Sequence, residues 1–251
     1  MIGPVRAVLF DVDGTLYHQG PLRLWMALEL AALPLRELPA SARRTWGAVR
    51  GFRRVREELR GLGAAESPLA LLQFQRAADR LQMEVDEVEA VVAEWIFRRP
   101  LKYLRRCRRA GIESLLGSLA SRGIPAGVFS DYPAREKLEA LDLAEKISLV
   151  ACATDAEINA FKPHPRGFVW ACERWGLEPS EVLYVGDRAE VDAAGAANAG
   201  MHCVIISRGL GLTPKAWLHE SDSDAGTSLH DSEFDSNSGT NSSPDPKPAP
   251  V

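Results

Sequence analysis

The sequence predicts an α/β fold: a Rossmann-like parallel sheet with helices on both faces, interrupted after its first strand by an inserted α-helical domain. Three observations predict it. Short, mostly apolar, β-branched runs recur along the chain, as buried strands require. Helical patterns lie between them. One interval, directly after the first such run, holds more than 100 residues of helical periodicity with almost no strand signal.

Val5–Phe10 (VRAVLF) is the first strand, and it runs into Asp and Gly. Residues 1–16 therefore open the α/β core. Residues 17–106 form the insert, with helices expected near 22–33, 40–62, 68–81 and 85–97. Leu69, Leu72, Gln73 and Arg76 show the apolar-to-polar spacing of a one-sided helix. The core resumes over 107–215. Its strands are PAGVFS (125–130), SLVAC (148–152), VLYVG (182–186) and HCVII (202–206), with helices near 113–122, 134–141, 165–175 and 188–199. Gly123, Gly176 and Gly200 each follow a helical run, where a C-terminal stop belongs. Alternation of strand and helix argues for a parallel sheet covered by helices. Residues 220–251 change character. They are rich in Ser, Asp, Asn, Gly and Pro, with seven acids against Lys247, and are expected to be a disordered acidic tail. That tail reads as a solubilising terminus, or as a segment serving a partner or folding back on the insert.

Net charge is −4, which gives no whole-chain reason to expect nucleic acid as a partner. The insert is locally basic: from Tyr17 to Arg109, 18 Lys and Arg stand against 11 Asp and Glu, a difference of +7. This reads as a solvated arginine-rich helix face, or as attraction of an anionic substrate to a cleft. The longest apolar stretch, Leu22–Leu35, is broken by Arg23, Glu29 and Pro34 and falls short of the roughly 20 residues that span a bilayer. No membrane span is expected. The N-terminus lacks the apolar length of a signal peptide. Cys107, Cys152, Cys172 and Cys203 form no CxxC or zinc pattern, so reduced thiols in the cytoplasm are expected.

Four groups of residues carry chemistry. Asp11 and Asp13, in DVDGTL, follow a buried strand, so both carboxylates can enter the crevice at a sheet's C-terminal edge. Gly14 permits a tight turn there and close approach of backbone to a ligand. Ser130 ends the strand GVFS, where its hydroxyl and the Asp131 amide can donate to an anion. Lys162 precedes Pro163 and a helix, and a cation there can neutralise a carboxylate and a phosphoryl oxygen together. Gly186-Asp187 repeats the strand-then-carboxylate pattern and suits a hard cation such as Mg²⁺; Asp192 follows one turn later. Each has an ordinary turn or surface reading alone, but all four fall at predicted strand ends in one order.

With these motifs the chain resembles the haloacid dehalogenase-like superfamily over about residues 5–215. The match rests on DVDGTL, Ser130, Lys162 and GDRAEVDAAGAANAGM. An insert directly after the first motif resembles the helical-cap subgroup, which includes phosphoglycolate phosphatase-like enzymes. The resemblance implies a phosphomonoesterase acting on a small phosphate ester. Asp11 would attack phosphorus, giving an aspartyl-phosphate, and Asp13 would serve as general acid and base. Mg²⁺ would be held by Asp11, the Asp13 main-chain carbonyl and Asp187. Thr15, Ser130, Asp131 and Lys162 would bind the phosphoryl group, supported by Gly14, Gly186 and Asp192. On this reading Asp11 stays ionised beside Mg²⁺ and Lys162, while Asp13 is held protonated. Asp13 argues against a dehalogenase or phosphonatase, which lack that acid. A phosphomutase using the same intermediate, and a non-catalytic phospho-ligand binding or regulatory protein, are the alternatives. The chain departs from the pattern at Tyr17-His18-Gln19-Gly20, at Asp131 and at Arg188. Substrate choice is expected to reside in the insert, with Trp25, Arg50, Arg53 and Arg54 as candidates.

Overall fold

Five short strands form one sheet. They are β1 (Ala7–Phe10), β2 (Ala126–Ser130), β3 (Leu149–Cys152), β4 (Val182–Gly186) and β5 (His202–Ile205). The computed structural model describes residues 4–35 and 38–206, so residues 207–215 and the expected tail at 220–251 lie outside the described residues. Strand order is β3-β2-β1-β4-β5, and every pairing is parallel. All four β1 residues are buried, so both faces of the sheet are covered. That is why β1 reads as a continuous apolar run rather than an alternating one. The edge strand β5 is only half-buried.

The order reverses at β1, with β2 and β3 on one side and β4 and β5 on the other. Such a switch point opens a crevice beyond the C-terminal ends of the central strands. The Asp11 amide donates to the Val185 carbonyl at 2.8 Å, carrying the β1–β4 pairing into that crevice.

Between β1 and β2 lie α1 (Gln19–Ala31), α2 (Pro39–Arg60), α3 (Leu69–Leu81), α4 (Val85–Val92), α5 (Leu101–Cys107) and α6 (Ile112–Ser121). Helix α2 buries Ala42, Thr45, Val49, Phe52, Arg56 and Leu59, a stripe at three- and four-residue spacing. Phe52 stacks on Phe74 of α3 with ring centroids 5.1 Å apart. Full burial of such a side chain contributes about 1.5–3 kcal/mol. A π-helical turn at Ala93–Arg98 continues α4. Helix α5 was not expected, because seven Arg-rich residues show no full apolar period.

The chain enters and leaves this interval side by side. Tyr17 and Arg108 form an antiparallel bridge, and the His18 amide donates to the Cys107 carbonyl at 2.8 Å. A second junction is made by Asn159. Its carboxamide oxygen accepts from the Leu69 amide at 2.7 Å, and its nitrogen donates to the Ala65 and Ser67 carbonyls.

The remaining helices are α7 (Arg135–Ala140) after β2, α8 (Arg166–Trp175) before β4, and α9 (Ala194–Asn198) before β5. The predicted helix at 188–199 is a π-helical turn, Ala189–Ala193, leading into the short α9. Phe129, Phe168 and Tyr184 pack edge to face under the C-terminal edge of the sheet, with centroids 5.1 and 4.7 Å apart. Among the described residues no helix is long and apolar enough to cross a membrane.

Candidate active site

Asp11 leaves β1 with its carboxylate buried. Lys162 Nζ donates to Asp11 Oδ1 at 2.7 Å, to Asp192 Oδ1 at 2.7 Å and to the Tyr184 hydroxyl at 2.9 Å. Asp192 is therefore the clamp behind Lys162. Its second oxygen accepts from the Asp187 and Arg188 amides at 3.1 and 3.0 Å, which also closes the turn after β4. Gly186 allows this, because a Cβ there would stand 2.5 Å from the Asp192 side chain.

Asp187 comes to the same place from β4. Oxygens of Asp11, Asp187 and Asp192 lie within 4.8 Å of one another. Asp192 already accepts from an ammonium, a phenol and two amides, so it has little left to offer a cation. Asp187 is the opposite case: its Oδ1 is buried without a hydrogen-bond partner. A buried carboxylate oxygen with no partner is costly unless something cationic meets it. Asp11 Oδ2 accepts a long contact, 3.3 Å, from the Thr15 hydroxyl. Hard oxygens from two strand ends fit a small divalent cation. Gly14 keeps the geometry open: its φ is +107°, and a Cβ would stand 2.1 Å from Asp187 Oδ2.

Electrostatics point the same way. Burial pushes the Asp11 carboxyl up to about 7, with Lys162 pulling it down and Asp192 and Asp13 pushing it further up. Burial and Asp192 likewise raise Asp187. One ammonium does not balance three clustered carboxylates.

Asp13 sits differently from expectation. Lys137 Nζ donates to both of its oxygens, at 2.6 and 2.7 Å, and the Tyr17 hydroxyl donates to Oδ1. Burial raises the Asp13 pKa, but the Lys137 ion pair and the hydrogen bonds from Lys137 and Tyr17 outweigh it, so the net shift is downward. Against the expectation of a protonated Asp13, the protein charges alone hold its carboxyl low, and they leave Asp11 raised to about 7. At Asp13 the cause is Lys137, whose contact with it spans 124 residues of sequence. The Asp13 carbonyl accepts from the Gln19 carboxamide. A carbonyl has a second lone pair, so this leaves room for one further partner.

Ser130 is wholly buried at the end of β2 and accepts from the Tyr132 amide at 3.2 Å, leaving its O–H to donate elsewhere. Asp131 turns toward the insert. Its Oδ2 accepts from Arg60 at 2.7 Å, its Oδ1 from the Lys162 amide at 3.2 Å, and its carbonyl from Arg56. Its side chain therefore ties elements together rather than facing the Asp11–Asp187 pair. Arg56 lies between the Tyr132 and Phe161 rings, 3.9 and 4.4 Å from their centroids.

The suggested insert residues do not reach this place. Arg50, Arg53 and Arg54 are exposed, and Trp25 stacks on Tyr103. The insert side chains that do reach the core include Tyr17 and Gln19 on Asp13, and Arg56 and Arg60 on Asp131. The signal for Arg56 was present in the sequence, since it shares a helix stripe with Phe52 and Leu59. Lys137 carried a similar signal, at apolar spacing with Ala134, Leu138 and Leu141. Arg109 carried none: it holds the loop after β1 through the Gly14 and Thr15 carbonyls at 2.8 and 3.0 Å. Much of the insert's positive charge is spent in surface pairs such as Arg44–Glu87, Arg80–Glu58 and Arg99–Glu29. An open cleft of about 520 Å³ beside Arg60, Pro163 and His164 is lined by Glu57 but not by Asp11, Asp13, Asp187 or Asp192.

Known proteins are similar to this chain. The family model of haloacid dehalogenase-like hydrolases matches residues 5–200. The chain belongs to this family. It is 33% identical over 211 residues to a phosphoglycolate phosphatase of Shigella boydii, covering 77% of this chain and 78% of that one. It is 31% identical over 194 residues to an N-acetylmuramic acid 6-phosphate phosphatase of Pseudomonas putida, covering 73% and 74%. Among solved structures, a 2-haloacid dehalogenase from Pseudomonas syringae superposes with a TM-score of 0.52 at 26% identity, covering 80% of this chain and 86% of that one. This member of the family is thus a hydrolase whose curated relatives are phosphatases and whose fold is shared with a dehalogenase.

Proposed function

We propose that the chain is a phosphomonoesterase in which Asp11 takes the phosphoryl group from a small phosphate ester, with residues 17–106 acting as a cap over the leaving group. The observation that carries this reading is Asp13, a carboxylate two residues from the nucleophile and gripped on both oxygens. Displacing a halide needs no proton, whereas expelling an alkoxide does. The curated phosphatase relatives support the same choice.

Asp11 attacks phosphorus through one oxygen of its buried carboxylate. Lys162, clamped by Asp192 and Tyr184, offsets charge on the nucleophile and on the phosphoryl oxygens. The Ser130 and Thr15 hydroxyls donate to those oxygens. Mg²⁺ held by Asp11, Asp187 and the Asp13 carbonyl would supply Lewis-acid charge compensation at the phosphoryl group. Asp13, which must hold a proton against the pull of Lys137 before it can act as the acid, passes it to the leaving oxygen and then takes one back from the water that hydrolyses the aspartyl-phosphate. Charge compensation supplies most of the acceleration, because phosphoryl transfer offers little else to stabilise.

Phosphate release from a panel of phosphorylated metabolites, with Mg²⁺, tests the proposal. Asp11→Asn is expected to lower turnover by on the order of 10³ or more while the protein stays folded. Appreciable residual turnover would reject the nucleophile. Transfer to a second sugar hydroxyl in preference to water would make the enzyme a phosphomutase.

A further inference from the structure

Asp13 has to change partners twice in the proposed reaction, yet its carboxylate is held by a residue to which the family motifs assign nothing. Lys137 lies in the first turn of α7, only 7% exposed, and its ammonium meets both Asp13 oxygens, at 2.6 and 2.7 Å. The Tyr17 hydroxyl meets the same carboxylate from the chain's entry into the insert. The Lys137 ammonium also lies 5.1 Å from the Tyr132 ring centroid, and Tyr132 packs edge-on against Phe97. The ammonium is thus fixed from two sides before it reaches Asp13.

Two contacts from one nitrogen fix the plane of a carboxylate as well as its distance. General acid–base catalysis depends on that, because a misplacement of about 1 Å can cost on the order of 100-fold. A structural ion pair would be an ordinary alternative, but it would not select the residue that handles the proton.

We propose that Lys137 is a positioning residue for the reaction: it holds the Asp13 carboxylate where it can exchange a proton with the leaving oxygen and with the hydrolytic water. This rests on the phosphatase reading above. The proton balance is unchanged by Lys137. Asp13 gives its proton to the leaving oxygen as the P–O bond breaks, and regains one from water as the aspartyl-phosphate is cleaved.

The test compares an alkyl phosphate with p-nitrophenyl phosphate, using kcat/KM, which covers binding and phosphoryl transfer to Asp11 and excludes the later hydrolysis of the aspartyl-phosphate. Lys137→Met is expected to lower kcat/KM for the alkyl ester by about tenfold or more, and for the aryl ester by less than about threefold, because an activated leaving group needs little protonation. Asp13→Asn combined with Lys137→Met should be no worse than Asp13→Asn alone, since both act through one group. Lys137→Arg, which keeps the charge and two donors, should recover part of the alkyl activity and covers the case in which the Met variant fails to fold. Equal losses on both esters, or additive losses in the double variant, would overturn the inference. Those outcomes leave the function standing if Asp11→Asn is inactive toward both esters. Failure of the wild-type protein to hydrolyse either would instead reject the function.

Discussion

Arg60 Nη1 donates to Asp131 Oδ2 at 2.7 Å, which ties a helix of the insert to the residue beside Ser130. The same guanidinium donates to the Lys162 carbonyl at 2.6 Å. Asp11, Ser130 and Lys162 near this junction are at most 5% exposed. Arg60→Ala should therefore loosen the junction. Removing the donor leaves buried acceptors unpaired, at a cost of about 1–3 kcal/mol. Urea unfolding should show this loss, and hydrogen exchange should quicken at Leu69 and Ala160. Unchanged exchange at both would mean that the Asn159 junction holds the insert unaided.

Asp131→Asn asks whether charge matters in that pair. With its oxygen kept toward Arg60, the Asn turns its amide N–H toward the Lys162 amide, so the variant should lose about 1–3 kcal/mol although the Arg60 bond survives. A double-mutant cycle across the two positions measures the coupling. A coupling indistinguishable from zero would show that Arg60 is held by Lys162 and Glu57 alone.

The sheet was legible because its central strands are buried on both faces and read as uninterrupted apolar runs. Asp11, Ser130 and Asp187 were legible because strand ends leave a mark in sequence: an apolar run, then a small or acidic residue. The partners of those groups were not. Lys137 to Asp13, Arg60 to Asp131 and Arg109 to Gly14 join residues 71 to 124 positions apart. Such contacts depend on how helices dock, which local periodicity does not encode. Periodicity does say which face of a helix is buried. Arg56 and Lys137 both lie on apolar stripes, so a charged residue in a buried register was the available sign. Arg50, Arg53 and Arg54 carry charge but lie off that register and are exposed.

Asp187 and Asp192 should separate in a metal titration. Removing an outer residue of a metal site costs about 10–100-fold in affinity or activity, and a direct ligand more. Asp187→Asn is expected to weaken Mg²⁺ binding beyond about 100-fold. Asp192→Asn should weaken it by about 10–100-fold, and lower stability by about 1–3 kcal/mol, because an amide N–H would face the donors whose bonds Asp192 now accepts. Calorimetric titration and urea unfolding of both variants decide this. A larger metal defect in Asp192→Asn would make Asp192 a ligand.

Mg²⁺ affinity should fall in acid. The Asp11 carboxyl is raised to about 7, chiefly by burial, and Asp187 is raised as well. Below about pH 7 a cation must displace the Asp11 proton; above it, the carboxylate is already ionised. One displaced proton per ion weakens apparent binding about tenfold for each pH unit below that point. Titrations at pH 6 and pH 8, in buffers of different ionisation heat, report both the affinity and the proton count. Equal affinity at the two pH values would place the Asp11 pKa well below 6.

Gly14→Ala should remove the metal site while sparing most of the fold. A methyl group there would stand 2.1 Å from Asp187 Oδ2 and 2.6 Å from its carboxyl carbon, too close for either to remain in place. The φ of +107° adds backbone strain of about 1–3 kcal/mol for any L side chain. Asp187 is half-buried and sits in a turn, so it is the group that yields. The variant is expected to unfold in one transition, weakened by about that strain, and to bind Mg²⁺ as poorly as Asp187→Asn. Arg109 should limit the damage, because it holds the Gly14 and Thr15 carbonyls from behind the loop. Wild-type Mg²⁺ affinity in Gly14→Ala would mean that Asp187 has room to retreat without leaving the cation.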